Sequence, residues 1–230
     1  MRNGRMNRLG LPAFRLVALA AVAGVVAGGL AVYVKAHLSG NTQPPAEVAA
    51  SAPVEAGRCA AGTDRARAVV AAATGEVAAL AAADPSQPMS GLAFNGPDGK
   101  PMTVADLGNR VVLLNLWATW CAPCRAEMPA LDALQREMGG DRFQVVAVNV
   151  DTGDDEKPKK FLAETGVHSL PYYRENTLAL FNDLKKRALA LGLPVTLLID
   201  RDGCLLAHMN GPAEWAGDDA RRLIEAALGS

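Results

Sequence analysis

The chain has 230 residues, 23 basic and 24 acidic side chains, a formal net charge of −1 and four cysteines. That length holds one domain of about 130 to 150 residues plus a further segment, and excludes a second large core. Five basic residues (Arg2, Arg5, Arg8, Arg15 and Lys35) precede the first acidic one, Glu47, so the remainder sets 18 basic against 24 acidic side chains and argues against a nucleic-acid partner.

Leu16–Val34 runs for 19 residues without a charge, close to the ~20 that a helix needs to cross ~30 Å of hydrocarbon. A cleaved leader has a shorter apolar core and a small-x-small site after it, whereas Val32, Tyr33, Val34 and Lys35 close this run. The expectation is an uncleaved, single-pass anchor over 16–35 in the cytoplasmic membrane. The basic tail, 1–15, stays inside by the positive-inside tendency, and the C-terminal domain is periplasmic.

Residues 39–57 are small, contain prolines and lack aromatic and large aliphatic side chains to build a core, so 36–58 reads as a flexible linker. As a coil the linker would span roughly 25 to 30 Å. From Cys59 to Asp84 the alanine-rich stretch predicts an extra N-terminal helix, capped by Thr63 or Asp64 and ended at Asp84-Pro85. Its alanine face is shallow and would dock weakly by itself.

From Met89 the pattern alternates. A turn at Asn95–Gly99 separates two short extended pieces, and V-V-L-L-N-L-W after Arg110 reads as a strand buried on both faces. A helix from Cys121 to about Met138 follows, then a second buried strand over Phe143–Val150, a charged helix over Asp155–Thr165 and a helix over Asn176–Leu191. Val195–Asp200 and Cys204–Met209 form a hairpin around Arg201-Asp202-Gly203, and Asp218–Leu228 is a closing helix. This order predicts an α/β thioredoxin fold over 89–230, with a mixed central sheet and flanking helices.

The segment W-A-T-W-C-A-P-C-R at 117–125 lies between the most apolar strand and a helix, which places Cys121 at that helix's N-cap. Unpaired N–H groups and the helix dipole stabilise a thiolate there and make it nucleophilic near neutral pH. Cys124 lies on the same face within bonding reach, and Pro123 is tolerated in the first turn, where its missing N–H has no acceptor to lose. A structural zinc site would need a second close pair of ligands. Cys59 and Cys204 are isolated, and His37, His168 and His208 show no ligand spacing, so neither a metal nor another cofactor is expected. Trp117 reads as core and Trp120 as a partly exposed docking wall beside the nucleophile.

The catalytic segment with Glu127 and Pro129, the later Leu193-Pro194-Val195-Thr196, Arg201-Asp202-Gly203 and the G-P-A-E-W segment at 211–215 fall in one order. In these motifs the chain resembles the TlpA-like membrane-anchored thioredoxins, over residues 89–230. The resemblance implies a cis Pro194 facing the disulfide, with backbone at Leu193 pairing with an extended substrate. It also implies a protein-disulfide reductase, recharged by a membrane electron carrier, that acts on disulfide-bearing periplasmic proteins of copper delivery or cytochrome assembly. Where thioredoxin has a buried Asp this strand carries Asn115, which cannot take up a proton. Glu127, at i+3 from Cys124, is the available replacement.

The resemblance contributes also to pairing Cys59 with Cys204, the alternative being two unrelated buried thiols. The bond would clamp the extra helix, with a chain-entropy contribution on the order of 4 to 5 kcal/mol for so long a loop. The rival from another class is a copper-binding chaperone of the same fold, which calls for a wider cysteine spacing and a positioned His. A peroxidase relative would carry a lone Cys after Thr and Pro.

Overall fold

A computed structural model of the chain describes residues 55–229. The basic tail, the predicted anchor and residues 36–54 of the predicted linker lie outside the described residues. Among the described residues no helix is long and apolar enough to cross a membrane.

One eight-stranded mixed sheet organises the domain. Its strands are β1 (Ala81–Ala82), β2 (Ala93–Asn95), β3 (Pro101–Thr103), β4 (Val111–Trp117), β5 (Phe143–Asn149), β6 (Tyr173–Arg174), β7 (Val195–Ile199) and β8 (Leu205–Asn210), in the spatial order β1-β8-β7-β4-β5-β6-β2-β3. β4, β5 and β6 run parallel, and the remaining pairings are antiparallel. Parallel neighbours need long crossovers. Here α2 (Ala122–Met138) joins β4 to β5, and α3 (Glu156–Glu164) lies between β5 and β6. Every residue of β4, β5 and β7 is buried, which is why these segments read as unbroken apolar runs rather than alternating ones. The closing helix α5 spans Asp218–Gly229 and buries Leu223 and Ile224.

The N-terminal extension departs from the single helix expected over 59–84. Residues 55–58, read as linker, are already helical, and the helix they open runs to 61. α1 (Thr63–Val70) follows, with Gly62 at its N-cap and no side-chain cap, while Thr63 Oγ1 donates to Ala60 O. Beyond it come a short 3-10 turn, Gly75–Val77, and the edge strand β1. The break has a tertiary cause: Thr74 Oγ1 donates to Asp219 Oδ1 at 2.7 Å and the Glu76 N–H donates to Oδ2 of the same carboxylate, while Gly75 takes φ +52°. Alanine's helix propensity is a fraction of a kcal/mol per residue, so these tertiary bonds override it.

Three further attachments hold the extension. Cys59 and Cys204 are bonded, with Cα atoms 5.3 Å apart. Arg65 pairs with Asp200 at 3.3 Å, and β1 adds to β8 through Ala81 opposite His208. The predicted helix over Asn176–Leu191 is likewise shorter: α4 spans Ala179–Lys186, bracketed by Leu178 and Ala188 at φ +62° and +59°. Left-handed backbone at a non-glycine residue stops a right-handed helix at both ends.

Removing the bond between Cys59 and Cys204 should therefore loosen the extension before the rest. The Cys59→Ser/Cys204→Ser double variant is expected to lose about 2 to 4 kcal/mol in urea unfolding. Hydrogen exchange should speed up first in α1 and β1. Unchanged exchange there would mean that Arg65, Asp200 and the β1 pairing suffice.

Candidate active site

The loop from β4 to α2 is braced before it reaches the cysteines. The Thr119 N–H donates to Asp151 Oδ2 at 3.0 Å and its hydroxyl bonds Oδ1 at 3.2 Å, while Asn149 Nδ2 holds the same carboxylate at 2.9 Å. The Val150 N–H donates to Trp117 O, so the ends of β4 and β5 stay locked beyond their last paired residues. Trp117 is fully buried, whereas Trp120 is 68% exposed. An open cleft of about 320 Å³ lies against Trp120, lined in part by Thr119, Asp151, Asp154 and Lys157.

Cys121 is the N-cap of α2 and its Sγ accepts the Cys124 N–H at 3.2 Å. An orphan helix donor is thus aimed at the sulfur, the arrangement that favours a thiolate. Cys121 and Cys124 are bonded to each other. Cys124 is fully buried, and Cys121 is only 6% exposed, less open than its place at the helix start suggests, because its sulfur is taken up by Cys124 and the helix N–H. Pro123 is exposed in the first turn.

The Leu193-Pro194 peptide is cis. Val195 stands opposite Leu116, so Pro194 lies at the end of the sheet where β4 delivers the cysteines. Pro194 is buried and its carbonyl accepts the Gly211 N–H; Leu193 is half-buried.

Glu127 is 4% exposed and sits one turn beyond Cys124 on α2. Its Oε1 accepts from Asn115 Nδ2 at 2.8 Å; its Oε2 accepts from the Ala213 N–H and from Trp215 Nε1, each at 3.1 Å. Burial raises its pKa from 4.5 to about 7, outweighing the three hydrogen bonds, which act in the opposite sense. The carboxyl is therefore poised to exchange a proton near neutrality. A shallow opening lined by Glu76, Glu127, Pro212 and Glu214 gives it a side toward solvent.

Asn115 also donates to Thr196 Oγ1 at 3.0 Å, and among the described residues its Oδ1 has no donor. Half a turn of that amide would present Oδ1 to a protonated Glu127, so Asn115 has chemistry to serve both states of the carboxyl. Trp215, Ala213 and Thr196 carried no assigned role in the sequence reading. The signal was there in the G-P-A-E-W segment, which resemblance singled out without giving it a task.

Known proteins bear on this geometry. The Redoxin family profile matches residues 81–224. The chain is 34% identical over 110 residues to the thioredoxin-like protein YneN of Bacillus subtilis, covering 46% of this chain and 60% of that protein. It is 37% identical over 117 residues to the thiol:disulfide interchange protein HelX of Rhodobacter capsulatus, covering 49% and 59%. The chain thus spans less than two thirds of the length of either relative. A Chlorobium tepidum structure assigned as thiol:disulfide interchange protein DsbE superposes with a TM-score of 0.53 at 30% identity, over 62% of this chain and 96% of that one. With its match across most of the described domain, including Cys121 and Cys124, the chain belongs to the Redoxin family.

Proposed function

We propose that this chain is a TlpA-like, membrane-anchored thiol-disulfide oxidoreductase that reduces disulfides of partner proteins in the periplasm, through Cys121 and Cys124. The observation that carries the reading is the pair itself: a bonded C-x-x-C whose first sulfur caps a helix at the sheet end that also carries a cis-proline, with a buried carboxyl near neutrality one turn away. The names of YneN, HelX and the Chlorobium protein support the chemistry; the resemblance in motifs and the N-terminal apolar run support the anchor and the reductant role. A copper chaperone is the weaker reading. Among the described residues no group of three His, Cys, Asp or Glu side chains is placed to hold a metal.

In the reduced protein the Cys121 thiolate attacks one sulfur of a partner disulfide. A Cys121–partner bond forms, and the partner's other sulfur leaves as a thiolate. Glu127 accepts the Cys124 proton, and the Cys124 thiolate then attacks Cys121, releasing the partner's second thiolate. Two electrons pass to the partner and the Cys121–Cys124 disulfide remains. A membrane dithiol carrier restores it by the reverse exchange. Leu193 would pair its backbone with the partner, while Trp120 and Pro123 flank the reacting sulfurs. The partners proposed are copper-delivery and cytochrome-assembly proteins bearing cysteine pairs.

Cys124→Ser keeps the nucleophile without the resolving thiol, so it should accumulate mixed disulfides that mass spectrometry identifies. Cys121→Ser should trap few. Better capture by Cys121→Ser would reverse the assignment, and capture by neither would remove thiol exchange as the function.

A phosphatase that folds only outside the cytoplasm, fused after Ser230, should be active. A stable but inactive fusion would overturn the topology.

Glu127 supplies a test by pH. Only the ionised carboxylate can accept the Cys124 proton, so resolution of the mixed disulfide should accelerate as pH rises through about 7. Glu127→Gln should slow it roughly 100-fold at neutral pH and move the dependence toward ordinary thiol ionisation near ~8.5. Stability gives an independent sign. The folded state holds this proton more tightly than the unfolded chain, so burial lowers stability as pH rises from 4.5 through about 7. Glu127→Gln should therefore stabilise the protein at pH ~8 by on the order of 3 kcal/mol relative to its effect at pH ~4. Equal effects at both pH values would contradict the raised pKa.

A further inference from the structure

The sheet register brings two exposed apolar side chains to the end that carries the disulfide. Val195 at the start of β7 faces Leu116 near the end of β4, so the chain entering β7 and the chain leaving β4 share that end. Trp120 and Leu191 are, among the described residues, the exposed large hydrophobics, at 68% and 82%. Single exposed apolar side chains are ordinary. These two fall on the segments that follow β4 and precede β7, at one end of the sheet.

Leu191 is also held in place. Its N–H donates to Asn210 Oδ1 at 2.7 Å, and Asn210 Nδ2 donates to Leu189 O at 3.1 Å. One amide at the end of β8 thus fixes the backbone on both sides of Ala190. A leucine exposed merely through loop slack would need no such clamp. A fixed backbone beneath an exposed apolar side chain spares association part of the loop-ordering cost.

We infer that Leu191, positioned by Asn210, acts with Trp120 as an apolar clasp, selecting partner segments that carry an apolar side chain next to the cysteine attacked by Cys121. The inference rests on the thiol-exchange reading above and names its substrate class. The chemistry of exchange supplies the occupant. A partner sulfur in line with Cys121 brings its own backbone to the Pro194 end of the sheet, and an extended segment advances only ~3.3 Å per residue, so its adjacent side chains come to rest on the two loops. Apolar surface is then removed from water on both molecules as the mixed disulfide forms.

Two peptides decide it, each with one internal disulfide and differing only in Leu or Ser beside the attacked cysteine. The reduced full chain, purified in mild detergent, is mixed with each, and the rate is read by alkylation and mass spectrometry. The wild type should prefer the Leu peptide about tenfold, the scale expected for partial burial of one such side chain. In Leu191→Ser the preference should fall below about threefold, Leu191→Met should retain it, and Asn210→Ala should lie between. Because each ratio is taken within one variant, a general loss of folding or reactivity cancels.

Equal wild-type rates with the two peptides, or a ratio that Leu191→Ser leaves unchanged, would overturn the clasp while thiol exchange stands. No reaction with either peptide would remove the exchange reading and the clasp with it. Loss of self-association or of vesicle binding in Leu191→Ser, with the peptide ratio intact, would assign the leucine to a second copy of the chain or to lipid instead.

Discussion

The rest of the structure depends on the full burial of β4. A seven-residue strand covered on both faces must have its backbone groups met along both edges, and it does, by β5 in parallel register and β7 in antiparallel register. Parallel pairing forces a crossover helix, and that helix has to begin where β4 ends. The first turn of that helix has backbone donors with no acceptor inside the helix, and one of them, the Cys124 N–H, is aimed at the Cys121 sulfur. The reactive position is a by-product of how a buried strand hands over to its crossover.

Glu127 is the second constraint, and it pulls the other way. A carboxyl at 4% exposure is costly to ionise, so it needs donors, and three come from two separate stretches: Asn115 on β4, and the Ala213 backbone with the Trp215 indole. Thr196 on β7 anchors Asn115 in turn. The balance leaves the carboxyl near neutrality rather than fixed as an anion. A hydrophobic replacement would avoid that ionisation cost at this depth, so the buried carboxyl is a stability cost that the proposed proton transfer would account for.

Much of this was legible in the sequence, for reasons that differ by element. β4 and β5 could be read because burial on both faces leaves an unbroken apolar run, and α2 because Cys121, Pro123 and Met138 mark its limits. The extension was not legible: alanines at 66–83 favour a helix locally, while the break at Thr74 and Gly75 depends on Asp219, far along the chain. α4 was overestimated since Leu178 and Ala188 give no sign of left-handed backbone. Glu127 stood out by its spacing from Cys124. Its partners Ala213 and Trp215 lie more than 80 residues away, where no local pattern could connect them.

Two disulfides in one domain raise the question of why they do not exchange. The β7–β8 hairpin answers it by distance. Pro194 and Asn210 lie at one end, with the redox pair, while Ile199 and Cys204 lie at the other. Five residues of strand separate the ends by roughly 17 Å, and thiol exchange requires sulfurs in contact. The bond that fastens the extension to β8 is thereby insulated from the opposite end of the sheet, and the same hairpin that brings Pro194 to the end where β4 delivers Cys121 keeps the two sulfur pairs apart.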